Sequence, residues 1–523
     1  MRRRNGDGGV RPRVRAVGLT GIAGMALSLA LLTGCSGGGS EKAGEGSAGK
    51  AEETSGGGAT AAAGPAYEGP ELPGFAREAA WSLASDGDQG PGALDLDGTL
   101  LFAKDARGAY LPDLHDDDAF LDPDAWDSGY AKRTPQGPNR VLYLSETPQR
   151  LTLEFRDAKT GKVRGTLKAT TDSVTLTTWR DGTPALAVGR SETAGSDGLT
   201  AERTTSKVTL YDAEGHELGR TVVPRAETDT GTDTDTGLYY AAALTGGHRV
   251  EAAGDTLRLV PVGDGTARTV PCTEEGATCE FSPETGLLTG ARATAAPVLD
   301  GRYYAGFENA NVSGSDMVRV TLNDLTTGKK IWSSADAEIP PGVELYDDGE
   351  PGTEPTPASE TLSLLDVSDG EVLLAWMSSR STSDIWIHAR YDLESGELTD
   401  SFEATEAVLY APSGDLAAED RPRDGAFTGT TVWQLPGGKE LWAQKQGSGE
   451  NPLDPVRFTA DGKVLYGLTI TPGSSEKGLA VDPRTREVLA KDLPTDHVPV
   501  VDDSSGYGFL TTGAGFFAFA PAS

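Results

Sequence analysis

The chain has 523 residues, with 79 Asp and Glu against 46 Lys and Arg, a formal charge of −33. That length can bury several ordinary domains or one large repeat fold. The acidic excess argues against nucleic acid, whose phosphates need Lys and Arg to release counterions, and against docking on anionic lipid through a basic patch.

The first segment carries Arg2, Arg3, Arg4, Arg11, Arg13 and Arg15 with one acid, Asp7. An uncharged, mostly apolar run follows from Ala16 to Thr33. A basic start, an apolar middle and small residues at the end make a secretory signal. Its closing residues, Leu32-Thr33-Gly34-Cys35, resemble a bacterial lipobox. The resemblance implies cleavage after residue 34 and a diacylglycerol thioether on Cys35. The chain is then expected at the cell membrane, lipid-anchored and facing out of the cytoplasm. Residues 35–70 are mostly Gly, Ser, Ala, Glu and Thr, too poor in apolar groups to offset their ordering entropy, so they read as a disordered tether. The pattern Gly34-Cys35-Ser36-Gly37-Gly38 fits G-x-S-x-G but sits outside any strand–turn–helix, so it is no nucleophile elbow.

From residue 71 to 523 the chain reads as all-β. Short β-rich runs, such as Val141–Leu144, Leu151–Phe155, Val208–Tyr211, Glu371–Trp376 and Val464–Leu468, alternate with clusters of Gly, Asp, Asn and Pro. One hairpin recurs: a strand ends in Asp, Gly follows three or four positions on, and a polar residue opens the next strand. The copies start at Asp157 (with Gly161), Asp212 (Gly215), Asp324 (Gly328), Asp392 (Gly396), Gln434 (Gly438) and Asp482, where Arg486 takes the Gly place. The Asp carboxylate can accept backbone N–H groups across such a turn, and Gly supplies the positive φ that closes it. Leu257–Thr266 reads as a degenerate copy, and Thr99–Gly108 as another. A recurrence of about 40–55 residues, or a multiple of it, is the signature of a β-propeller. The expected fold is a propeller of seven or eight four-stranded blades, eight favoured. The hairpin from Tyr507 to Phe519 would pair with an N-terminal strand near Phe75–Leu83 to close the ring.

The spacing Asp-x-x-x-Gly-Lys-x-x-Trp resembles the pyrroloquinoline-quinone-type propeller repeat, whose tryptophan docks between neighbouring blades. Asp324, Gly328, Lys329 and Trp332 carry it in full, and Gly438, Lys439 and Trp442 carry it with Gln434 in the Asp place. Gly165, Asp400 and Ala490 stand where other copies would have Trp.

Candidate chemistry is sparse. Cys272 and Cys279 enclose six residues, a spacing read as a disulfide that clips a loop in an exported chain. They are not vicinal, so the cysteine ring of quinone-dependent dehydrogenases is absent. Three acidic clusters, Asp116–Asp118, Asp229–Gly237 and Asp347–Glu350, read as solvated loops, with Asp233–Gly237 the weak calcium candidate. The histidines His115, His216, His248, His388 and His497 have no metal-ligand spacing, and neither a phosphate loop nor an H-E-x-x-H helix occurs. No cofactor beyond the lipid and no metal are expected. The functional expectation is a non-catalytic binding or scaffold module for a protein or cell-envelope component. The alternative is a binder of a small solute or cation in the channel, and behind it a hydrolase or oxidoreductase.

Overall fold

The computed structural model describes residues 64–84, 98–111, 140–194, 203–224, 244–253, 256–271, 280–281, 288–290, 293–299, 302–312, 315–325, 327–343, 345–346, 356–357, 362–368, 370–377, 386–405, 408–420, 429–445, 451–469 and 476–522. Apart from two 3-10 turns, Arg180–Gly182 and Thr495–His497, the regular structure of these residues is antiparallel strand.

Strand β1 (Trp81–Ala84) is set aside for the end of the chain. A six-stranded meander follows: β2 (Thr99–Lys104), β3 (Arg140–Asp157), β4 (Val163–Thr178), β5 (Pro184–Ala194), β6 (Arg203–Tyr211) and β7 (Glu217–Pro224). Next come β8 (Leu244–Thr245), β9 (His248–Ala253), β10 (Thr256–Pro261) and β11 (Arg268–Pro271), four strands in one sheet. The third sheet has six: β12 (Glu280–Phe281), β13 (Leu288–Gly290), β14 (Ala293–Leu299), β15 (Tyr303–Val312), β16 (Ser315–Asp324) and β17 (Lys330–Ser333). A small pair, β18 (Leu345–Tyr346) with β19 (Thr356–Pro357), stands apart. Three four-stranded sheets continue: β20 (Leu362–Ser368) to β23 (Leu398–Ala404) through β21 (Glu371–Met377) and β22 (Trp386–Asp392); β24 (Val408–Tyr410), β25 (Leu416–Asp420), β26 (Thr430–Gln434) and β27 (Lys439–Ala443); and β28 (Leu453–Phe458), β29 (Leu465–Thr469), β30 (Lys477–Val481) and β31 (Val488–Leu493). The last sheet joins β32 (Val500–Val501), β33 (Gly508–Thr512) and β34 (Gly515–Phe519) to β1, with Trp81 opposite Ala518 and Ala84 opposite Gly515.

Successive sheets pack face to face, and the packing closes on itself. Leu100 and Phe102 of β2 meet Phe509, Phe516 and Ala518 of the closing sheet. Val208 and Leu210 meet Leu244 and Val262; β9 touches β12. Val320, Leu322 and Trp332 meet Leu364, Leu374 and Tyr391. Phe402 and Ala404 meet Val408 and Trp433. Leu416 and Val432 meet Phe458 and Leu465. Tyr466 and Ala480 then return to Val501, Leu510 and Phe517. This is a β-propeller, and β1 removes the open edge that a linear stack would leave.

The expected series of seven or eight separate four-stranded blades is not what the hydrogen bonding forms. Among the described residues five sheets are four-stranded and two are six-stranded. In the β2–β7 sheet the cause is one long hairpin. The first part of β4 pairs with β3 only, from Val163 to Thr171, whereas Ser173–Thr178 pairs with β5 on its other edge. Between them the strand turns a corner, where the Thr171 hydroxyl donates to the Ser173 carbonyl (2.7 Å) and Asp172 accepts the Ser191 amide (2.7 Å). The two halves pack on each other through Leu153, Phe155 and Leu167 on one side and Val174, Leu186 and Val188 on the other. A register shift between Leu144 and Gln149 in β3 sits at the same corner, which is how a bulge bends a strand from one sheet plane into the next.

Candidate functional site

The recurrent turn is a backbone clamp. Asp157 Oδ1 accepts the amides of Lys159 (3.1 Å) and Thr160 (2.8 Å), and the Asp157 carbonyl accepts the Gly161 amide (2.8 Å). Asp392 treats Glu394, Ser395 and Gly396 in the same way, and Asp482 treats Arg484, Thr485 and Arg486 so. Asp324 accepts the Thr327 amide (2.5 Å), and Gly328 closes that turn. Gly161, Gly328, Gly396 and Gly438 have φ of 66, 71, 75 and 54°, and Arg486 holds φ 66° in the glycine place. Burial alone would raise the carboxyls of Asp157 and Asp482, but the turn hydrogen bonds, with the Arg164 cation at Asp157 and the Arg484 cation at Asp482, outweigh it and hold both below the usual range. Asp392 is held down by the Ser395 amide and hydroxyl.

The clamps at Asp157, Asp392 and Asp482 each also receive the outer strand of the sheet before them. The Trp442 indole on β27 donates to the Pro483 carbonyl (2.7 Å), and the Arg486 guanidinium lies over its ring at 5.4 Å. That contact gives the Arg in the glycine place a partner on the neighbouring sheet. Trp332 on β17 lies against Gly396 and packs 5.5 Å from the Tyr391 ring, yet its buried Nε1 has no hydrogen-bond partner. Trp81, which the sequence pattern missed, donates to the Ala158 carbonyl (2.9 Å) and covers Gly161. Its strand follows no Asp–Gly turn, because in the closing sheet that connection is the break between chain ends. The useful signal was its place in the strand expected to close the ring.

Where Trp is missing, other groups do its work. Asp400 accepts the Gly437 amide (2.7 Å), and Phe402 covers Gly438. At Gly165 the backbone comes so close that a Cβ would run into the Glu214 carbonyl. Ala490 packs against a cluster that residues from the other end of the chain complete. Tyr67 packs edge-on to Phe519 (4.9 Å) and Phe517 (5.4 Å), Leu72 and Phe75 are buried beside Tyr466, and the Tyr466 hydroxyl donates to the Pro73 carbonyl (2.6 Å). Burial, with the Asp496 charge, pushes the Tyr67 phenol up to about 12. Tyr67 therefore belongs to the packed domain, although it falls within the stretch read as tether.

Two histidines are buried in seams. His388 is fully buried, with Nε2 2.7 Å from the Thr405 carbonyl, Nδ1 2.8 Å from the Tyr410 hydroxyl and its ring stacked on Phe402. A carbonyl can only accept, so Nε2 carries the proton. His248 donates from Nδ1 to the Gly246 carbonyl (2.8 Å) and accepts from Arg268 at 3.3 Å. Burial, then the Arg268 and Arg180 charges, depresses its pKa. His216 is exposed on Asp212 (3.1 Å), and His497 contacts Asp496 (2.8 Å). A further ionic group joins Glu154 to Lys104 (2.6 Å) and Arg156 (2.7 Å). Burial would raise the Glu154 carboxyl, and the two cations more than reverse it.

Cys35, Cys272, Cys279, His115, Asp116–Asp118, Asp229–Gly237 and Asp347–Glu350 lie outside the described residues. Among the described residues no group of three or more His, Cys, Asp or Glu side chains is arranged to hold a metal ion.

No protein-family model matches the chain, and no curated protein matches it. Solved structures with some likeness include TolB from Acinetobacter baumannii, 14% identical over 64% of this chain and 80% of that one, with a TM-score of 0.21. The β-propeller domain of the Trilobed protease from Pyrococcus furiosus is 13% identical over 64% and 76%, with a TM-score of 0.23. Oligogalacturonate lyase from Vibrio parahaemolyticus is 10% identical over 73% and 95%, with a TM-score of 0.26. Likeness at this level carries no argument about function, and the propeller rests on the strand pairing and seams above.

Proposed function

We propose that this chain is a membrane-anchored, extracytoplasmic lipoprotein whose propeller is a non-catalytic binding or scaffold module for a protein or cell-envelope component. The observation that carries the reading is the use made of the most conspicuous side chains. The turn aspartates, their glycines and the docking tryptophans lock one sheet to the next, which makes a rigid ring suited to presenting loops. Cys35 is the lipid attachment site in this reading, residues 35 to about 63 are the tether, and diacylglycerol is the sole prosthetic group. Cys272 and Cys279 form a disulfide.

The ring is an eight-bladed propeller of the pyrroloquinoline-quinone repeat type in the same reading. The two halves of the β2–β7 sheet count as separate blades, each with its own clamp, at Asp157 and Asp212. Docking of Trp81, Trp332 and Trp442 on the following clamp supports the repeat type.

The test is crosslinking in intact cells, with purification through a C-terminal tag and mass spectrometry. A reproducible envelope partner is expected with the wild type, and Cys35→Ala should release the protein from the membrane fraction. Recovery of the protein alone, with Cys35→Ala still membrane-bound, would count against both halves of the reading.

A further inference from the structure

One sheet face carries a charge pattern opposite to the molecule as a whole. In β2, β3 and β4 the register places Lys104 opposite Thr152 and Thr152 opposite Lys168, so the three form one row. Arg150 lies opposite Thr170 in the next row, and Phe102, Glu154 and Thr166 form the row on the other side. Directly paired residues, and residues two apart in a strand, share a sheet face. This face looks toward the closing sheet, because Phe102 packs on Phe516 at 5.2 Å and Trp81 at 6.4 Å.

The closing sheet is too short to cover it. Strands β1, β33 and β34 have 4, 5 and 5 residues, whereas β3 and β4 stay paired from Arg156 opposite Val163 to Gln149 opposite Thr171 before the corner. Strand β2 runs from Thr99, opposite Asp157 of the clamp, to Lys104, and β1 runs the same way from Trp81, docked on that clamp, to Ala84. Leu100 and Phe102 are thus covered while the rows beyond them are not: Arg150, Lys168 and Thr170 are exposed and Thr152 is half-exposed. The result is a ledge at the foot of the tall β3–β4 hairpin. Glu154, its one carboxylate, is already held by Lys104 and Arg156. Among the described residues neither Arg150 nor Lys168 forms an ion pair, in a chain with 79 acids. The chain also enters at this end, since Ser82 Oγ donates to the Pro65 carbonyl (2.7 Å).

We infer that the ledge carrying Arg150 and Lys168, with the hydroxyls of Thr152 and Thr170, binds a phosphate-bearing polyanionic chain. The inference rests on the binding-module reading and names its ligand class. Two exposed cations beside hydroxyl donors match phosphodiester oxygens. The step between the hairpin and the shorter sheet admits an extended chain rather than a flat membrane.

The probe is soluble medium-chain polyphosphate, titrated at low and at physiological salt against the purified full-length chain. Wild type should bind, with affinity falling as salt rises. The double variant Arg150→Glu/Lys168→Glu should lose about tenfold or more in affinity with an unchanged melting temperature, because both side chains are exposed. Lys445→Glu/Lys477→Glu, which reverses one exposed lysine just past β27 and one on β30, should bind as wild type. Absence of polyphosphate binding, equal loss in both double variants, or binding confined to phosphatidylglycerol vesicles would overturn the inference. If polyphosphate fails while intact-cell crosslinking still captures an envelope partner, the ledge is wrong and the scaffold reading stands.

Discussion

The indole N–H of Trp81 donates to the carbonyl of Ala158 across a separation of 77 residues, at 2.9 Å. The same contact joins Trp442 to Pro483 at 2.7 Å, 41 residues apart. Both tryptophans hold an outer strand against the clamp of the next sheet, and both satisfy a donor that packing would otherwise bury.

Trp332 makes the packing contact without the hydrogen bond, which separates the two contributions. Trp81→Phe and Trp442→Phe should each lose a hydrogen bond worth about 1 kcal/mol as well as the packing of the second ring. Trp332→Phe loses the packing and relieves an unpartnered donor, so its cost should be smaller by about that amount. Urea unfolding of the three variants checks this, and equal losses would show that the indole bonds contribute nothing.

Glycines at the clamps should separate by what surrounds them. Gly438 has φ 54° and Phe402 stands where its Cβ would go, and a Cβ at Gly165 would strike the Glu214 carbonyl. Ala at either position should cost roughly 2 kcal/mol or more, by strain and by forcing two sheets apart. Gly98 has φ 73° with open space around it, and Gly98→Ala should cost only about 1 kcal/mol. Thermal melts of the three variants give the order, and a Gly98 variant as damaged as the others would contradict it.

The N-terminal segment should be indispensable from Tyr67 onward. A chain starting at residue 64 should melt like the full chain. One starting at residue 76 loses Tyr67, Leu72 and Phe75 from the core cluster that also packs Ala490 and Tyr466 and should be strongly destabilised. Within the full chain Phe75→Ala alone should cost about 3–5 kcal/mol. Calorimetry of the two truncations decides, and equal melting temperatures would refute the seam-filling role.

The clamps also set an acid limit. Asp157, Asp392 and Asp482 have folded pKa values below the ordinary one. Their stabilisation is therefore complete above the unfolded value of about 3.9 and is lost as pH falls through the lower folded values. Replacing all three by Asn should lower stability at neutral pH and flatten its fall below about pH 4. Urea midpoints between neutral and acid pH measure the slope, and an unchanged slope would remove the clamps from the acid response.

Much of the ring was legible in the sequence, because Asp and Gly at fixed spacing between β-rich runs leave a turn few alternatives. The clamps at Asp157, Asp324, Asp392 and Asp482 are local, and local chemistry is what a sequence displays. The joined sheet was not legible. Nothing at Thr171–Ser173 marks a turn, since a strand that bends through a bulge keeps its β-rich composition. Trp81 and Tyr67 were hidden for another reason: their partners, Ala158 and Phe519, lie far along the chain, and no spacing rule connects them. The cationic ledge depends on one sheet being taller than its neighbour, a difference of strand length that pairing alone reveals.

The pairing of β1 with β34 also sets an order in time. A ribosome delivers Trp81 long before Ala518, so the first strand must wait, unpaired, for almost the whole chain to be made. The last sheet to finish is the one that contains the first strand. A chain cut short by even its final twenty residues would lose β33 and β34 and still have no ring, with β1 and the face of the β28–β31 sheet left for some other molecule to find.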